Sequence, residues 1–79
     1  MQSYEFFVDS EKKHIDFINK IIEAYEGIGV VRTLDASLGL IKIICTDDFK
    51  EFVRQVLEDL NSRGITAKIT EEGPWKGEL

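Results

Sequence analysis

The sequence predicts an α+β fold with its elements in the order β-α-β-β-α-β. Two amphipathic runs of helical period, Ile15–Tyr25 and Phe49–Leu60, alternate with short β-branched and aromatic runs. The middle two β runs are joined by "ASLG", a link too short for anything but a hairpin. A length of 79 residues allows one domain and no more.

The first strand is "YEFFVD", Tyr4–Asp9, with Asp9 or Ser10 expected to cap the helix that follows. In that helix Ile15, Ile18, Ile22 and Tyr25 recur on one face, and Phe17 and Ile21 widen the stripe, as for a helix lying on a sheet. Gly27 suits the left-handed position past its end. "IGVVRTLD" and "LIKIIC" are strands two and three, and Gly39 fits a positive φ in a bulged hairpin. The second helix is the clearest signal. Phe49, Phe52, Val53, Val56, Leu57 and Leu60 share one face; Thr46 or Asp47 is expected to cap the start, and Arg63 and Gly64 mark the end. "ITAKIT", Ile65–Thr70, is strand four. Residues 1–70 then form the domain, and 71–79, with the only proline and the only tryptophan, form a tail.

Two overlapping βαβ halves of this kind make the ferredoxin-like arrangement, a four-stranded antiparallel sheet. Right-handed crossovers place both helices on one face of it. A domain this small buries only about 60–65% of its unfolded surface, so self-association or a ligand adds useful stability.

Composition narrows the function. The net charge of −5 argues against non-specific nucleic-acid binding and against docking on an anionic membrane. No apolar run is long enough to span a bilayer, and the start of the chain does not read as a secretory leader. A single cysteine, Cys45, excludes an internal disulfide. The expectation is a cytoplasmic protein.

Strand alternation then predicts which residues occupy the face that the helices leave open. Tyr4, Phe6 and Val8, then Ile41, Ile43 and Cys45, then Ile65, Ala67 and Ile69 point to the helices. Glu5, Phe7, Leu40, Lys42, Ile44, Thr66, Lys68 and Thr70 point away. With a bulge at Gly39, Val30, Arg32 and Leu34 join them; a shift of one residue would substitute Val31 and Thr33. A face mixing Phe7, Arg32, Leu40, Lys42, Ile44 and Lys68 is too apolar for water and too charged for a core, which is the composition of a subunit interface. Trp75 of the tail is the alternative cover. Tyr25, Glu26 and Asp35 would flank the interface. Three residues apart on a regular strand, Arg32 and Asp35 point to opposite faces, so Arg32 is expected to meet Glu5 across subunits instead.

Nothing in the chain supports catalysis. His14 reads as a surface residue, and its neighbour Asp16 does not face it on a helix. Cys45 reads as a small core residue. Asp47 and Asp48 suit a helix start, and two carboxylates alone do not make a metal site. No phosphate loop or Ser/His/Asp set is present, so no enzyme activity, metal or cofactor is expected. RNA-recognition modules share this element order but stack bases on aromatics of the two central strands; here strand three offers Leu40, Lys42 and Ile44.

The stretch "EAYEGIGVVRTLD", the hairpin "SLGLIKI" and the helix "FVRQVLEDL" resemble a small bacterial family of single-domain proteins of unknown function with a "YEG…RT.D…G" core. Tyr25, Glu26, Gly27, Arg32, Thr33, Asp35 and Gly39 carry the match, over about Tyr4 to Ile69. This resemblance implies the fold and no activity. A looser one, to ACT-type regulatory domains, implies an amino-acid-like effector at a paired-domain interface. Those domains usually have a glycine between strand one and helix one, where this chain has "VDSEKK". The reading is a non-enzymatic protein-interaction or self-association module, a homo-oligomer or the docking site of a protein partner. Small-molecule sensing and RNA binding are the alternatives.

Overall fold

The computed structural model describes residues 2–25 and 29–77. Its elements are β1 (Ser3–Ser10), α1 (Ile15–Ala24), β2 (Gly29–Asp35), β3 (Leu40–Thr46), α2 (Lys50–Ser62) and β4 (Ala67–Pro74). One sheet of order β2-β3-β1-β4 holds all four strands, and every neighbouring pair is antiparallel. This is the expected ferredoxin-like α+β arrangement. The most apolar strands, β1 and β3, lie at the centre.

Both helices cover one face. Ile18 and Ile22 of α1 and Val53, Leu57 and Leu60 of α2 close a single core with Phe6, Val8, Ile41, Ile43, Cys45 and Ala67. Burial pushes the Cys45 thiol up to about 11, which leaves it a packing group and not a nucleophile at neutral pH. The α2 stripe is narrower than its period suggests. Phe49 and Phe52 are 42% and 39% exposed, because they sit at the entry and flank of the helix, while the buried line starts at Val53. Tyr25 is likewise exposed and meets Phe52 edge to face at 4.9 Å.

The helix starts also differ from expectation. Each helix is entered through a 3₁₀ turn, Lys12–His14 or Asp47–Phe49, without a side-chain cap. Of the groups expected to cap, Ser10 Oγ donates to the Gly39 carbonyl at 2.6 Å and Asp47 accepts from Lys50 at 3.1 Å, while Thr46 Oγ1 has no hydrogen-bond partner among the described residues. Gly64, at φ +84°, ends α2 as expected. The end of α1 at Gly27, the start of strand two at Ile28, and Glu26 lie outside the described residues.

The largest departure concerns the tail. The strand placed over Ile65–Thr70 begins at Ala67 and runs to Pro74. Asn61 of α2 sets the start: its side chain donates to the Ala67 carbonyl and accepts from the Ala67 N–H, both at 2.8 Å. Tyr4, Glu5, Phe6 and Phe7 of β1 then pair with Pro74, Gly73, Glu72 and Glu71, so these four residues belong to the sheet. The Trp75 N–H continues the ladder by donating to the Ser3 carbonyl at 2.9 Å.

Glu72 ties this extension to α2. It accepts from the Tyr4 hydroxyl at 2.7 Å and pairs with Arg54, whose guanidinium also meets Glu51. Hydrogen bonds from Arg54 first, and then from Tyr4, hold the Glu72 carboxyl below its ordinary value of 4.5. A carboxyl depressed in the native state contributes stability above its unfolded-state pKa, and that contribution is lost as the pH falls through the depressed native value. Glu72→Gln is therefore expected to cost about 1 kcal/mol at neutral pH and to reduce the loss of melting temperature on acidification below about pH 4.5. Thermal melts of both proteins from neutral to acid pH check this. Parallel acid profiles would refute it.

Candidate interaction face of the sheet

The sheet face away from the helices is laid out in rows by the strand register. Arg32 pairs with Lys42, Lys42 with Phe7, and Phe7 with Glu71. On one side of this row lie Val30, Ile44, Glu5 and Gly73; on the other lie Asp35, Leu40, Asp9 and Lys68. All six residues expected at the interface, Phe7, Arg32, Leu40, Lys42, Ile44 and Lys68, thus share this face.

Two bulges shape it, one on each edge strand. Between Thr33 and Asp35 the register against β3 steps by one, leaving Leu34 as the extra residue. Between Phe7 and Val8 the register against β4 steps likewise, leaving Thr70 extra; its hydroxyl donates to the Phe7 carbonyl at 3.2 Å. Val30 and Arg32 therefore occupy the open face as expected, while Asp35 takes the place expected for Leu34. Arg32 and Asp35, three apart in sequence, lie on one face, and so do Lys68 and Glu71. Thr70, expected on this face by simple alternation, is the bulge residue instead.

The centre is drier than an open face implies. Glu5, Lys42 and Ile44 are 3%, 5% and 8% exposed. Lys42 Nζ lies 3.6 Å from Glu5 Oε1 and 5.2 Å from the centre of the Phe7 ring. So large a loss of hydration is tolerated by a lysine and a glutamate only when they are paired. Glu5, expected to meet Arg32 across subunits, thus has a partner in Lys42 within its own chain. Around this pair Phe7 and Leu40 are half-buried, and Val30 is 48% exposed. The rim carries exposed Arg32, Lys68, Glu71 and Asp9, none of them in an ion pair with a described residue.

Asp35 belongs half to the turn. Its Oδ1 accepts from Ser37 Oγ at 2.7 Å and from the Leu38 N–H at 3.2 Å. These bonds, Ser37 first, hold its carboxyl below the ordinary carboxylate range. It remains ionised at neutral pH, at the end of the strand that carries Arg32.

Alternation in the sequence placed the six residues on the open face but did not place Glu71 there, and gave Asp35 only a flanking position, because a bulge inverts the parity of everything beyond it. It missed a second apolar surface as well. Phe17, Ile21, Tyr25, Phe52, Val56 and Leu60 line a groove of about 480 Å³ between the helices. Phe17 and Phe52, which broaden the two helical stripes, were the available signal. Among the described residues no three His, Cys, Asp or Glu side chains converge on a metal-sized site. Among the same residues no helix is long and apolar enough to cross a membrane.

Comparisons with curated proteins and with solved structures gave no match. A family match does exist, and it runs over residues 11–63, from the entry of α1 to the end of α2. It contains the Arg32, Asp35 and Gly39 positions that carried the resemblance in the sequence. The chain belongs to the family described as a domain of unknown function, DUF4911.

Proposed function

We propose that this protein is a non-enzymatic assembly module of the cytoplasm that associates through the open sheet face. One observation carries the reading: around a packed centre of Ile44, Lys42 and Glu5 the face presents partly exposed Val30, Leu40 and Phe7, within a rim of charges that have no ion pair among the described residues. Association surfaces are built this way, with partly exposed apolar side chains that lose water on docking and supply affinity, and a charged rim that supplies register. A purely solvated sheet face would not hold Val30, Leu40 and Phe7 around a buried ion pair.

Light scattering across micromolar to millimolar concentrations tests this. The wild type is expected to associate, and Leu40→Glu, which places a carboxylate beside the dry centre, is expected to be monomeric with an unchanged circular-dichroism spectrum. Phe52→Glu, on the helical groove, is expected to leave the mass unchanged. A wild type that is monomeric throughout, or an assembly broken by Phe52→Glu and indifferent to Leu40→Glu, would overturn the reading.

A further inference from the structure

The rows of the open face are self-complementary under one symmetry operation. Along β2, Arg32 and Asp35 place a cation in the central row and a carboxylate in the outer row. Along β4 the signs are reversed, with Glu71 in the central row and Lys68 in the outer row. A twofold axis parallel to the strands, midway between two stacked sheets, carries β2 of one copy over β4 of the other. Arg32 then lies over Glu71 of the second copy, and Asp35 lies over Lys68 of the second copy. The same operation sets Lys42 over the second Phe7 ring and brings Val30 and Leu40 under cover. Stacked sheets lie about 10 Å apart, a gap that a long cation and a carboxylate span together.

We propose that two copies of this chain form a face-to-face dimer with β2 of each lying over β4 of the other, locked by Arg32–Glu71 and Asp35–Lys68 pairs between copies. The proposal rests on the open-face reading and specifies its partner and geometry. Arg32 supports it independently. Within one chain it lies directly opposite Lys42, a repulsive arrangement, and it has no carboxylate partner among the described residues. The two bulges acquire a purpose, since each brings a charge pair of opposite sign onto one face. A twofold axis perpendicular to the strands also pairs Arg32 with Asp35, but only with the copies offset so that Val30, 48% exposed, is uncovered.

The test is a charge exchange. Arg32→Glu alone and Glu71→Arg alone are each expected to weaken the dimer at least about tenfold, because each creates two like-charge contacts. An equimolar mixture of the two variants pairs Glu with Arg and Arg with Glu, and it is expected to recover the dimer to within a few fold of the wild type. Sedimentation equilibrium of each variant and of the mixture reads this, with thermal melts showing that each variant folds. Recovery on mixing supports the geometry. A dimer that is abolished by Leu40→Glu but unmoved by either reversal, or reversals that mixing does not rescue, overturns this geometry and leaves the open-face reading standing. A monomeric wild type overturns both.

Discussion

Lys42→Met is expected to destabilise the protein by about 3–5 kcal/mol, the cost of leaving a buried charge without its partner. Lys42 and Glu5 are both at least 95% buried, on strands that share the centre of the sheet, and their charged atoms are 3.6 Å apart. Removing the ammonium strands the Glu5 carboxylate where water does not reach it. For a domain whose whole stability is about 5–10 kcal/mol, the loss is a large fraction of the total. Denaturant unfolding monitored by Trp75 fluorescence measures it. A loss below about 1 kcal/mol would mean that the pair is hydrated in solution.

The double variant Glu5→Leu/Lys42→Met separates the cost of a broken pair from the worth of an intact one. Replacing both partners removes the desolvation of two ions, and such replacements are often neutral or stabilising by about 1–4 kcal/mol. The expected order of stability is therefore double variant at or above wild type, and both above Lys42→Met. A face that keeps a buried pair at a net cost keeps it for register. In that case the stable double variant associates less selectively than the wild type, and light scattering shows mixed stoichiometries.

The sequence showed the layers of this fold better than its faces. Helical period placed Ile18, Ile22, Val53, Leu57 and Leu60 in the core, and alternation placed Phe6, Val8, Ile41 and Ile43 there. These signals survive because every residue on a buried stripe repeats the same information. The open face lacks that redundancy. One extra residue at Leu34 moves Asp35 onto it, and one at Thr70 moves Glu71 onto it, and neither bulge leaves a glycine or proline to mark it. The continuation of β4 was hidden for a related reason. Glu71, Glu72, Gly73 and Pro74 are all poor strand formers, and they suit the exposed edge of a sheet because they discourage pairing with another chain. Only Tyr4 and Arg54, on other elements, reveal that Glu72 is held.

Gly39→Ala is expected to be the most damaging small substitution outside the core. Gly39 has φ +73°, a conformation costing an alanine about 1–2 kcal/mol. Its surroundings add more. A Cβ there would stand 2.1 Å from the Ser10 carbonyl oxygen and 2.5 Å from the Ser10 carbonyl carbon, both backbone atoms of the central strand. Relief requires β1 and the hairpin to separate, which breaks the bonds that the Ser10 N–H and Oγ donate to the Gly39 carbonyl, at 2.8 and 2.6 Å. With about 1 kcal/mol for each bond, the total exceeds about 3 kcal/mol. Gly64→Ala supplies the control, since Gly64 also has a positive φ, +84°, but a Cβ there would meet nothing within 4 Å. It is expected to lose only the conformational part. At about 4–8 °C per kcal/mol for a domain of this size, the roughly 2 kcal/mol of lost bonding should separate the two melting temperatures by about 8–16 °C. Equal losses would show that the hairpin yields without disturbing β1, and that Gly39 is held by its φ alone.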